Sequence, residues 1–202
     1  MIPPLSMVRK SERTRQRIVE AANRLFYHQG YHNTSFSDVV RAAGVPRGNI
    51  YYYFKTKDAI LHAAIDYRLE RIRSMLEGWN GQFRTPIERL QRFVALLDDT
   101  SEALVQYGCP MGSLNAELGK TDLALQEHAA QLFQVFQEWL TDQFAELGYA
   151  GRANELALRV MAIGQGISMM AHVHHDTNLL KRERQRLRRW IDQLADGSGD
   201  CL

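Results

Sequence analysis

Apolar residues recur along this chain at helical spacing, and no run alternates as a strand of useful length would. Ile18, Ala22, Leu25 and Phe26 line one face of a helix predicted over 11–29, closed by Gly30. Phe36, Val39, Val40 and Ala43 then fall at i, i+3, i+4 and i+7, the stripe of a short amphipathic helix. Thr34 or Ser35 supplies its N-cap and Gly44 ends it. Pro46 suits the first turn of the next helix, which turns Ile50 and Phe54 inward. From Lys57 to about Trp79 a long helix carries Ile60, Leu61, Ala64, Ile65, Leu69, Ile72 and Leu76 on one stripe. Gly78 and Gly81 are expected to break it and leave Trp79-Asn80-Gly81 as a loop.

The second half continues in the same period. Thr85-Pro86-Ile87-Glu88 is a capping box with proline at the first helical position. Ile87, Leu90, Phe93, Val94 and Leu97 follow on a helix expected to run to about Gln106. Residues 107–114 interrupt it, a short helix is predicted over 112–118, and Thr121 is the expected cap of the next helix. Leu125, Ala129, Leu132, Phe133, Phe136, Leu140 and Phe144 point that helix inward, and Gly148 ends it. Over 154–172, Leu156, Val160, Ile163, Ile167 and Met170 alternate spacings of four and three, a narrow helix–helix seam. Gly164 and Gly166 within it each cost about 1 kcal/mol relative to alanine, a cost that close approach of another helix offsets. Thr177 or Asn178 starts the last helix, striped by Leu180, Leu187, Trp190, Ile191 and Leu194. The predicted fold is all-α: an N-terminal three-helix helix-turn-helix domain over 8–57, then a larger helical domain over 58–202.

Charge changes this picture once it is divided. The 202 residues carry a net charge of only +2. Residues 1–60 hold ten Lys/Arg against four Asp/Glu, a net +6, and the rest hold fifteen against nineteen, a net −4. That asymmetry suggests a nucleic-acid-binding head on an acidic body. Cys109 and Cys201 form no disulfide framework or metal-ligand spacing. No stretch of about 18 apolar residues is present, so no membrane span is expected. Residues 1–7 are too short for a signal peptide and are expected to be disordered, as is the tail over 196–200. A cytoplasmic protein without cofactor or bound metal is expected.

The helix after Pro46 carries the chemistry. With Ile50 and Phe54 inward, it leaves Arg47, Gly48, Asn49, Tyr51, Tyr52 and Tyr53, followed by Lys55 and Lys57. Successive residues rotate about 100° around a helix, so three adjacent tyrosines cannot share one core-facing side. Cations neutralise phosphates and tyrosine hydroxyls bond to them. Gly48 removes bulk where a DNA backbone would approach. The second helix of a helix-turn-helix enters the major groove by its N-terminal part. Arg9, Lys10, Arg13, Arg15 and Arg17, near the front of the first helix, are expected to add phosphate contacts.

The run Ala43 to Lys57, with Ala22, Leu25, Phe26, Gly30, Tyr31 and Thr34 upstream, closely resembles the signature of the tetracycline-repressor (TetR) family. It departs at Pro46, where the family commonly has a serine or threonine. The resemblance implies a homodimeric, ligand-released regulator of double-stranded operator DNA, most often a repressor. Thr34, Ser35, Arg47, Gly48, Asn49, Tyr51, Tyr52, Tyr53 and Lys57 are then the expected DNA-contacting residues. It also implies that the last two helices form a four-helix bundle across a twofold axis, and that the helix from Lys57 relays a ligand signal.

In the body, Phe93, Leu97, Tyr107, Met111, Phe133, Phe136, Met161, Gln165 and Met169, with Leu114, suit either a ligand pocket or plain core. Met and aromatic side chains favour a small hydrophobic or electrophilic inducer. Cys109, between Gly108 and Pro110, resembles the thiol of family members that sense electrophiles, and equally suits a small buried hydrophobe. His172, His174, His175 and Asp176 lack the i, i+4 spacing of a helical metal site. The basic run 181–189 lies on an amphipathic helix and reads as a solvated face. No nucleophile–base pair or phosphate loop is legible, so an enzyme is not expected. A purely architectural DNA binder is the other alternative.

Overall fold

Helices account for nearly all of the computed structural model, which describes residues 5–197, with side chains from Ser11 onward. Expectations for residues 1–4, for Cys201, for the tail beyond Gly197 and for the side chains of Arg9 and Lys10 fall outside the described residues. The helices are α1 (Leu5–Gln29), α2 (Phe36–Ala43), α3 (Arg47–Tyr53), α4 (Lys57–Gln82) and α5 (Pro86–Asp99). They continue as α6 (Ser101–Tyr107), α7 (Pro110–Leu118), α8 (Leu123–Phe144), α9 (Ala153–His174) and α10 (Thr177–Ala195). No strand occurs among the described residues.

Local signals placed most boundaries. Ser35 accepts from the Asp38 amide while Asp38 reaches back to the Ser35 amide, and Thr85 and Glu88 do the same for α5. Gly44, at φ 59°, closes α2 in the left-handed region where a Cβ is disfavoured. Other boundaries differ from expectation. The first helix begins at Leu5, ahead of Ser11. α4 runs on through Gly78 and Gly81 to Gln82. The reason is tertiary: Trp79 is buried, stacks edge-on against Trp139, and carries the Arg92 guanidinium 4.9 Å above its ring. Asn80 accepts from Trp139 Nε1 at 2.9 Å, so the segment expected as a loop is an anchored helical turn.

The helix expected from Pro86 to about Gln106 is two helices that meet at Thr100, whose hydroxyl donates to the Leu96 carbonyl at 2.7 Å. α8 is capped by Asp122, which accepts from the Leu125 amide, and not by Thr121. α10 is capped by Asp176, which accepts from the Asn178 amide. Gly148, at φ 104°, ends α8 through a wide turn at Ala145–Tyr149 and a tight turn at Ala150–Arg152.

The helices form two compact units, neither continuous in sequence. Among the described residues, one comprises the chain up to Glu70 together with Ser113–Ala130; the other comprises Arg71–Gly112 and the chain from Gln131 to Gly197. In the first, Ile18, Ala22 and Phe26 of α1, Val39 and Val40 of α2, Ile50 of α3 and Ile60, Leu61 and Ile65 of α4 are buried. In the second, α10 packs on α5 and α9, and α6 on α9. Its core joins Trp79, Leu90, Phe136, Leu140, Phe144, Leu156, Val160, Leu187 and Trp190. The stretch Leu123–His174 is apolar and long enough by composition to cross a bilayer. It is broken at Gly148, and its Leu140, Phe144, Leu156 and Val160 belong to this core.

Candidate functional site

The sharpest contrast between buried and exposed residues lies on α3. Ile50 has no exposed surface and Phe54, just past the helix, keeps 4%. Around them Arg47, Gly48, Asn49 and Lys55 are exposed, Tyr51 is 48% exposed and Tyr52 76%. Tyr53 is half-buried, edge-on to Tyr52. The Tyr51 ring stacks on Phe36 of α2 at 5.1 Å, and the Lys55 ammonium donates to the Tyr51 carbonyl at 2.6 Å. α3 therefore offers a cationic, aromatic surface fixed from behind. A Cβ on Gly48 would meet nothing within 4 Å, so no packing inside the chain requires glycine there.

α1 secures this pair of helices. Arg17 donates to the Ala43 and Gly44 carbonyls at 2.7 and 3.2 Å, satisfying the C-terminal end of α2. The Arg15 guanidinium lies 5.1 Å from the Phe54 ring centroid. Two of the arginines expected to contact phosphate thus also bind the helix-turn-helix together.

Three other expected DNA contacts are engaged within the protein. Thr34 is fully buried and donates to the Gly30 carbonyl at 2.7 Å, so it cannot present its hydroxyl to a duplex. Thr34→Val is expected to lower unfolding free energy by about 1 kcal/mol, because it removes the hydrogen bond to the part-buried Gly30 carbonyl; urea denaturation measures it, and an unchanged midpoint would contradict the structural role. Ser35 is exposed, but its hydroxyl belongs to the capping box, whose hydrogen bonds hold the Asp38 carboxyl below its usual range. Lys57 donates to the Tyr31 carbonyl at 3.0 Å and sits 4.1 Å from the Tyr31 ring centroid. Tyr31 also bonds to Asp58 through its hydroxyl, and burial, reinforced by that carboxylate, raises its pKa.

In the second unit, Phe93, Leu97, Cys109, Met111 and Met161 pack against one apolar cluster that includes Phe136. Phe93 and Phe136 meet edge-on at 5.5 Å. Gln165 donates to the Cys109 sulfur at 3.4 Å and crosses Gly112 so closely that a Cβ there would lie 2.6 Å from its Oε1. Tyr107 and Phe133 are half-buried. Met169 is 60% exposed, so it does not line this interior as expected; the α9 register turns it outward. His172 bonds to the Val105 carbonyl at 3.0 Å, His175 takes the left-handed turn that ends α9, and Asp176 caps α10. In the basic run, Leu187 is buried, with Trp190 just beyond it; Arg184 pairs with Asp98 of α5 and Arg186 with Glu183 one turn away.

An exposed second helix of a helix-turn-helix is the geometry with which DNA-binding proteins enter the major groove. Comparison with known proteins makes the class specific. Residues 18–64 match the family described as bacterial regulatory proteins, tetR family. Residues 86–186 match the LmrA/YxaF-like transcriptional regulator C-terminal domain. An HTH-type transcriptional regulator in the lacX 3′ region of Lactococcus lactis subsp. lactis is 26% identical over 187 residues, covering 91% of this chain and 95% of its own. The HTH-type transcriptional repressor DhaR of a Mycobacterium species is 28% identical over 130 residues, covering 62% of this chain and 61% of its own. A TetR transcriptional regulator from Chloroflexus aurantiacus superposes with a TM-score of 0.78 at 27% identity, covering 92% of this chain and 97% of that one. The chain belongs to the TetR family of transcriptional regulators. Its function is regulatory, not enzymatic.

Proposed function

We propose that this protein is a cytoplasmic repressor that binds operator DNA as a homodimer and is released by a small hydrophobic or electrophilic inducer. Residues 8–57 read DNA, and 58–202 bind ligand and dimerise. The observation that carries the reading is the α3 surface: Arg47, Gly48, Asn49, Tyr51 and Tyr52 are exposed while Ile50 and Phe54 anchor the helix. The name of DhaR supports repression. Dimerisation is supported by α9, where Leu158, Met169, Met170 and Val173 are exposed large apolar residues. Between them Ala162 and Gly166 are exposed and small, which allows another helix to approach closely. Two half-sites about one helical turn apart, ~34–36 Å, require a dimer. The inducer reading rests on the apolar and sulfur-bearing side chains around Phe93, Cys109 and Met161. An inducer that prefers a dimer with wrongly spaced heads shifts the population away from DNA.

Gel-shift binding to the DNA flanking the protein's own gene, at stated salt, tests the reading. Gly48→Ala should raise stability by about 0.5–1 kcal/mol through helix propensity. It should also weaken operator binding about tenfold, because the new methyl group obstructs the DNA backbone. Unchanged affinity would place α3 away from the duplex. Arg47→Ala should weaken binding and lower the salt slope by about one; an unaltered slope removes its phosphate role. Binding without sequence preference would favour an architectural protein.

A further inference from the structure

The turn between α1 and α2 is held by a residue far outside the helix-turn-helix. Glu117, in the last turn of α7, accepts from two consecutive backbone amides: Tyr31 N–H at 2.9 Å and His32 N–H at 2.6 Å. Charge-assisted bonds of this kind are roughly twice as strong as neutral ones. Gly30 makes the arrangement possible. Its φ is 85°, and a Cβ there would lie 3.1 Å from the Glu117 carboxylate. Beside it, His32 Nε2 and Thr121 Oγ1 are 2.7 Å apart.

The same turn also ties the end of α1 to the start of α4. Thr34 bonds back to Gly30, Lys57 donates to the Tyr31 carbonyl, and the Tyr31 hydroxyl bonds to Asp58 at the start of α4. The exits of α1, the entry of α2 and the start of α4 therefore meet within five residues, 30–34. Two of the amides in that stretch depend on Glu117 as acceptor.

We propose that Glu117 is a positioning residue for DNA binding: its carboxylate holds the α1–α2 turn so that α2 and α3 stand in the binding-competent arrangement. This rests on the DNA-reading role proposed for α3. Electrostatics alone predicts the opposite sign. Removing a carboxylate from a unit that binds phosphates strengthens its attraction to DNA. Positioning predicts weaker binding, because apparent affinity falls with the fraction of molecules in the competent state.

Fluorescence anisotropy with the flanking DNA, at fixed salt, separates the two. It should compare the full-length wild type with Glu117→Ala, Glu117→Gln and a control, Glu127→Gln, whose carboxylate is exposed on α8. The expected result is about tenfold weaker binding for Glu117→Ala, with an unchanged salt slope. Glu117→Gln, which keeps one acceptor oxygen, should fall between, and Glu127→Gln should bind as tightly as wild type or tighter. Amide exchange at Tyr31 and His32 should accelerate in both Glu117 variants. If Glu117→Ala fails to fold, Glu117→Gln carries the test. A folded Glu117 variant that binds as well as the control overturns the proposal, as does unchanged exchange at the two amides. A wild type that binds no fragment overturns instead the DNA-reading role on which it rests.

Discussion

Ile50→Ala is expected to reduce operator binding more than a hundredfold while the second unit stays folded. α3 is seven residues long, and a helix that short has no stability of its own in water. Ile50 is its one buried residue, and it is completely buried. Truncation to alanine removes apolar burial and leaves a cavity, together about 2–5 kcal/mol. The loss falls on the element whose outer face is proposed to meet DNA. If ordered and disordered α3 are close to balance in the wild type, a loss near 3 kcal/mol lowers the competent fraction by a factor of about 100. Ile50→Val, at about 0.5–1.5 kcal/mol, should bind far better than Ile50→Ala. Anisotropy with operator DNA, alongside thermal unfolding, checks this. Near-normal affinity for Ile50→Ala would mean that α3 is not the reading element.

Val173→Glu should convert the proposed dimer to a monomer and lower operator affinity by a comparable factor. Val173 is 59% exposed in the single chain, so the substitution should change the stability of one protomer by no more than about 0.5 kcal/mol. Across a twofold axis the same change appears twice. Each carboxylate would enter an apolar face formed by Met169, Met170 and Leu158, where an unpaired charge costs several kcal/mol. A monomer engages one half-site and loses the gain in effective concentration that linked heads provide, about 10²-fold or more. Light scattering after size exclusion measures the assembly. A dimer that survives Val173→Glu would move the interface off this part of α9.

The amino-acid sequence by itself determined the local parts of this protein. The all-helical fold, an N-cap at Ser35 or its neighbour Thr34, the Thr85–Glu88 capping box, the left-handed turn at Gly44 and the inward set of Ile50 and Phe54 follow from short-range rules. Each involves residues within one or two helical turns, where spacing alone fixes who meets whom. The exposed face of α3 was legible for the same reason. Tertiary structure decided what polar groups do once distant segments meet. Thr34 and Lys57 look like DNA contacts in sequence but are drawn inward by the Gly30 and Tyr31 carbonyls. Arg17 caps α2 from 26 residues away. Trp79 carries α4 through two glycines because Arg92 and Trp139 await it. Glu117 reaches His32 across 85 residues, and no periodicity encodes that pairing. A backbone amide or carbonyl must find a partner, but which partner it finds depends on the path of the whole chain.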